Sequence, residues 1–66
     1  MKTMLKDFLT DDEIRRAVKL KKCDAIQREI IEPNLARINR ALGQENDARY
    51  LAYAVEYAVG RLSKEP

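Results

Sequence analysis

An all-α chain of three helices is what this sequence predicts, and three observations lead there. Ala, Leu, Glu, Lys and Arg dominate, Gly and Pro occur only twice each, and nowhere do β-branched and polar residues alternate over a strand length. Start signals of the capping-box type stand at Thr10 with Glu13 and at Asp24 with Gln27, pairs whose side chains satisfy the orphaned N–H groups of a first helical turn. The last third of the chain carries an apolar stripe at helical spacing. With 66 residues, 45% of them apolar and 36% charged, the composition suits one globular domain, 1–66, and neither a disordered nor a membrane chain.

The first helix is expected over about 11–22. Asp11, Asp12 and Glu13 fall in its first turn and Arg15, Arg16, Lys19, Lys21 and Lys22 in its later turns, the order of charge that the helix macrodipole prefers. Residues 1–9 ahead of it read as a loose N-terminal arm unless Leu5, Phe8 and Leu9 dock on the helices. The second helix is expected over about 24–42, with a break or bend near Cys23; one continuous helix is the alternative, since no Gly or Pro enforces a break there. Pro33 lies inside it, where a missing N–H and a clash with the Glu29 carbonyl predict a kink near 30–33, with a full stop as the rival reading. Gly43 takes the C′ position that closes a helix in the left-handed conformation. The third helix is expected over about 47–62, capped by Asn46 or Asp47, and the short connection folds it back on the second as an antiparallel αα-hairpin. Residues 63–66 read as a tail.

Placed at 100° per residue, Ala48, Leu51, Ala52, Val55, Ala58, Val59 and Leu62 share an arc of roughly 120°, a core-facing stripe. Tyr50, Tyr53 and Tyr57 cluster within about 60° on nearly the opposite side, with Ala54 beside them. The third helix is thus apolar on two sides, more than a chain this short covers by itself. The plainer reading leaves the tyrosines on the surface, stacked on Arg49 and Arg61, each four residues from a tyrosine. The second helix offers Ile31, Leu35, Ile38 and Leu42 to the alanine-rich stripe.

Size sharpens the point. A 66-residue chain buries only about 60% of the surface its unfolded form exposes, and such chains lean on disulfides, metals or partners. One cysteine and no histidine exclude an intramolecular disulfide and any His-containing zinc site. Self-association into an intermolecular helical bundle is the expected device, with a dimer favoured and very regular helix packing within one chain as the other possibility.

Catalysis is poorly provided for. Without histidine the usual general base is missing, Ser63 falls in the tail, and Cys23 has no imidazole to make it a thiolate. No enzyme activity and no cofactor are expected. Glu29 and Glu32 share a helix face, and two such pairs in a dimeric bundle, with Glu56, are the remaining route to a carboxylate-bound Mg²⁺ or Mn²⁺, but the Glu-x-x-His ligands of di-iron bundles are absent and solvated surface carboxylates are the stronger reading.

Arg15, Arg16, Lys19 and Lys22, with Lys21, form a basic helix face that offers phosphates five cations in eight residues. Against it, 13 basic residues face 11 acidic ones for a net charge of +2, Asp11 and Asp12 precede Arg15 and Arg16 by four residues, and no helix-turn-helix glycine turn, zinc finger or RNP motif is present. The N-terminus has no signal-peptide pattern, no apolar run reaches 18 residues, and an unpaired Cys23 suits a reducing compartment, so a cytoplasmic protein is expected. The expected function is that of a non-enzymatic, homo-oligomeric protein–protein interaction or adaptor module with an interface at Tyr50, Tyr53, Ala54 and Tyr57. A small dimeric nucleic-acid-binding regulator using the Arg15–Lys22 face is the alternative.

Overall fold

Thr10 opens the first helix as its pairing with Glu13 predicts. The Glu13 N–H donates to Thr10 Oγ1 at 3.2 Å and the Thr10 N–H donates to Glu13 Oε1 at 2.9 Å, the reciprocal capping box. The computed structural model describes residues 4–64, and among them the chain is all-α: helix α1 (Asp11–Leu20), a continuous helical run α2 (23–42) and helix α3 (Ala48–Lys64), with no strand.

Helix α1 stops two residues short of the expected 22. Lys21 adopts φ 68°, ψ −37°, and the Lys22 N–H donates to the Leu20 carbonyl at 2.7 Å, so Lys21 sits at the centre of a γ-turn, a strained conformation for a residue with a Cβ. The chain therefore breaks between α1 and α2 without glycine or proline. α2 starts at Cys23, one residue before Asp24, because the Asp24/Gln27 pair does not form the expected cap. Lys22 occupies the N-cap with no side-chain bond, and the Cys23 N–H instead donates to Glu56 Oε2 of α3 at 2.9 Å.

Pro33 neither ends α2 nor acts alone. The α-helical turn Cys23–Ile26 widens into a π-turn over Gln27–Ile31, tightens to a 3₁₀ turn over Glu32–Asn34 and resumes as α-helix over Leu35–Leu42. The Glu32 N–H reaches five residues back to the Gln27 carbonyl, and the Asn34 Nδ2 donates to the Ile30 carbonyl at 2.8 Å. A side chain thereby adds a hydrogen bond to the backbone where the helical pitch changes. At the far end Gly43 has φ 76°, with its N–H on the Arg40 carbonyl and the Gln44 N–H on the Asn39 carbonyl, a full Schellman closure. The Asn39 and Asn46 amides then bridge the α2–α3 loop: Asn46 N–H donates to Asn39 Oδ1 at 3.0 Å and Asn39 Nδ2 donates to the Asn46 carbonyl at 3.2 Å.

The core gathers Ile26, Ile30, Ile31 and Ile38 of α2, Ala17 of α1, and Leu51, Ala52, Val55 and Val59 of α3. α3 meets chiefly the first half of α2 and α1, and Leu35 and Leu42 pack only partly buried against the same core. Leu62, expected in the core stripe, is 55% exposed, while Ala58 is half-buried. The stripe turns away from the body before the helix ends. The N-terminal arm, expected to be loose over 1–9, is docked in its described part: after a 3₁₀ turn (Leu5–Asp7) Phe8 and Leu9 are buried, and residues 1–3 lie outside the described residues. The expected tail at 63–66 is helical through Lys64, and residues 65–66 lie outside the described residues.

Ion pairs lace the outside. Arg37 Nη2 contacts Glu13 Oε1 and Oε2 at 2.6 and 2.7 Å, so the carboxylate that caps α1 also ties it to α2. Arg16 pairs with Glu29 across the same two helices, and Arg49 pairs with Asp24 across α2 and α3. Water and salt screen such exposed pairs, so burial carries the stability. No helix among the described residues is long and apolar enough to cross a membrane.

Candidate interaction surface

Helix α3 has one face in the core and another in the open. Leu51, Ala52, Val55 and Val59 are buried, whereas Tyr50, Tyr53 and Tyr57 are 63, 52 and 68% exposed and Ala54 is exposed among them. The wide separation between the two faces follows from the spacing alone.

The structure divides the three tyrosines. Tyr50 and Tyr57, with Ala54, Ala58 and Leu62, line an open, largely apolar groove of about 860 Å³ together with Met4, Leu5 and Phe8 of the N-terminal turn; Leu42, Gln44 and Asn46 also border it, and Lys6 and Arg61 are the cations in its lining. The docked N-terminal turn makes this groove, so the surface is larger than the tyrosine cluster by itself. Met4 and Leu62, 58 and 55% exposed, add apolar side chains at its rim. Tyr57 also borders a second, smaller hollow with Tyr53, Glu56, Gly60 and Arg61.

Tyr53 belongs to a different cluster. The Arg49 guanidinium lies 5.0 Å from the centre of the Tyr53 ring, donates to its hydroxyl at 3.4 Å, and donates to Asp24 Oδ1 at 2.5 Å and Gln27 Oε1 at 3.3 Å. The bonded guanidinium and its charge hold the Asp24 carboxyl below the usual carboxylate range, and the same bond keeps Arg49 firmly protonated. Arg61 stands 5.9 Å from the Tyr57 ring centre, at the outer limit of a cation–π contact. Both arginine–tyrosine contacts were readable as i, i+4 spacings. The role of Asp24 was not, because its partner lies 25 residues away.

The basic face is assembled only in part. Arg15, Arg16, Lys19 and Lys22 are all exposed, but Arg15 pairs with Asp12 and Arg16 crosses to Glu29. The expected pairing of Arg16 with Asp12 is thus replaced by a contact between helices. Lys19, Lys21 and Lys22 have no carboxylate partner among the described residues.

The glutamates considered for metal diverge. Glu29 faces Arg16, Glu32 accepts from Gln27 Nε2 at 2.7 Å, and Glu56 faces the Cys23 N–H; among the described residues no three His, Cys, Asp or Glu side chains are grouped to hold an ion. Cys23 is a buried free thiol, 3.9 Å from Asp24 Oδ1. Compared with models of known families, with curated proteins and with solved structures, the chain matches none.

Proposed function

We propose that the protein is a non-enzymatic interaction module that works as a homo-oligomer, most simply a dimer, joined through the groove face of α3 at Tyr50, Ala54 and Tyr57. One observation carries this reading: Tyr50, Tyr57, Leu62 and Met4, all more than half exposed, border a single apolar groove. Contiguous apolar surface on so small a body marks an interaction site, and tyrosine offers large contact area at low entropic cost. Tyr53, in contact with Arg49, which is itself paired with Asp24, flanks this interface. A reducing, cytoplasmic setting fits the free thiol of Cys23.

Exposure in a single chain is equally what the surface-tyrosine reading requires, so the oligomeric state decides. Sedimentation equilibrium of the full chain at tens of micromolar is expected to show a dimer, and Ala54→Arg, which adds a charged side chain at the middle of the face, is expected to return it to a folded monomer. A stably folded monomer at every concentration overturns the reading.

The nucleic-acid reading draws support from Lys19, Lys21 and Lys22, exposed and free of carboxylates among the described residues. It loses support from Arg15 and Arg16, whose charges already face Asp12 and Glu29. Gel shifts over a salt series separate the two: binding that weakens steeply with salt and is lost on replacing Lys19 and Lys22 favours a polyanion partner, and no shift at low salt disposes of it.

A further inference from the structure

On the exposed face of α3, Tyr50, Ala54, Tyr57 and Arg61 follow one another at steps of four, three and four residues. That is the alternation of a two-helix seam, and all four positions are exposed. A second stripe at this spacing, separate from the buried one, has no counterpart on α1 or α2 to receive it.

We propose that a second copy of the chain lays its own α3 antiparallel along this seam, in the register that sets Tyr50 against Arg61 of the other copy and Ala54 against Tyr57 of the other copy. The inference rests on the self-association proposed above and names its geometry. A two-fold axis makes each contact occur twice: where residue i of one copy meets residue j, residue j meets residue i. Four layers result. The outer two each place a guanidinium on a phenol ring, and the inner two each place an alanine opposite a tyrosine, so that large and small side chains fill one another's space.

The parallel arrangement is worse on both counts. It would stack Arg61 on Arg61, a like-charge contact, and would alternate a tyrosine–tyrosine layer with an alanine–alanine gap. Arg61 has no carboxylate partner among the described residues and stands 5.9 Å from its own Tyr57 ring, so little holds it back from a ring on the other copy. Charge and size complementarity of the seam with its own reverse therefore select a second copy over an unrelated helix.

The test uses the full chain with Tyr50→Arg, Arg61→Tyr and both together, reading the dimer dissociation constant by sedimentation equilibrium and checking the fold by circular dichroism. Tyr50→Arg, which sets arginine against arginine twice, is expected to weaken the dimer by about tenfold or more. The double exchange restores the pair in the reversed sense and is expected to recover most of that loss. A double variant as weak as Tyr50→Arg overturns the register. In a second arm, Tyr50→Cys and Arg61→Cys chains, each also carrying Cys23→Ser, are mixed and oxidised: a mixed disulfide supports the antiparallel register, and a Tyr50→Cys homodimer overturns it. If the unsubstituted protein is monomeric, self-association itself fails; if it dimerises and the exchange does not rescue, only the register fails.

Discussion

Glu56 of α3 caps the first turn of α2: its Oε2 accepts the Cys23 N–H at 2.9 Å across a sequence separation of 33. Lys22, which occupies the N-cap position, provides no side-chain acceptor. A local cap forms whenever its helix forms, whereas this one exists only when α3 is already packed. The start of α2 is thus coupled to the docking of α3, on the side of α3 that carries Tyr53 and Tyr57.

Replacing the Glu56 acceptor is expected to cost accordingly. Glu56→Ala leaves the Cys23 N–H of a partly buried turn without its partner and should lower stability by about 1–2 kcal/mol, the range for losing a helix cap. Glu56→Gln keeps an acceptor oxygen and should lose less. Urea denaturation at one fixed protein concentration measures both, the fixed concentration being needed because association would add to apparent stability. Equal losses for the two substitutions would mean that the charge, and not the hydrogen bond, is what α2 needs.

Lys21 is where stability is easiest to add. Its φ of 68° burdens any residue with a Cβ by about 1–2 kcal/mol, and glycine avoids that at a smaller cost in chain entropy. Lys21→Gly should therefore raise the denaturation midpoint, by up to about 1 kcal/mol in free energy. Lys21→Val should lower it, since a β-branched side chain tolerates positive φ least. A Gly variant less stable than the Lys21 protein would show that the lysine stem contributes packing of its own.

The Asp24–Arg49 pair fixes the sign of one pH effect. Asp24 is held below the usual carboxylate range when folded, chiefly by its bond to Arg49, and returns to that range on unfolding. A carboxylate with a lowered folded pKa contributes stability that is full above the unfolded value and lost as pH falls through the folded one. Arg49 stays protonated throughout and adds no pH dependence. Asp24→Asn should thus be less stable than the native protein at neutral pH and approach it under acid conditions, with a gap that narrows as salt is raised. Thermal melts at several pH values check this, and a gap that widens toward acid contradicts it.

What was legible in the sequence follows from how local each signal is. The Thr10/Glu13 box and the Gly43 closure need only residues within one turn, and both are present. The buried stripe of Leu51, Ala52, Val55 and Val59 needs only helical periodicity. Leu62 broke from that stripe because periodicity assigns a face without saying how far along the helix a neighbour extends. Asp24 and Gln27 had the spacing of a cap, yet their side chains turn to Arg49, an interaction charged and cooperative enough to outbid a local one. The π-turn that absorbs Pro33 was likewise invisible, since proline marks where a helix is disturbed and not how the disturbance is shared among its neighbours.

By itself, then, the sequence determined that this chain is helical, roughly where its helices lie, and that α3 has two apolar faces, because propensity, capping and periodicity act over a few residues. Only the tertiary structure decided that Glu56 starts α2, that Leu62 leaves the core stripe, that Arg49 is shared between Tyr53 and the distant Asp24, and that Phe8 and Leu9 tie down the N-terminal turn so that a groove opens beside α3. Those outcomes depend on contacts between residues far apart in the chain, and a contact of that kind is set by the shape of the whole fold.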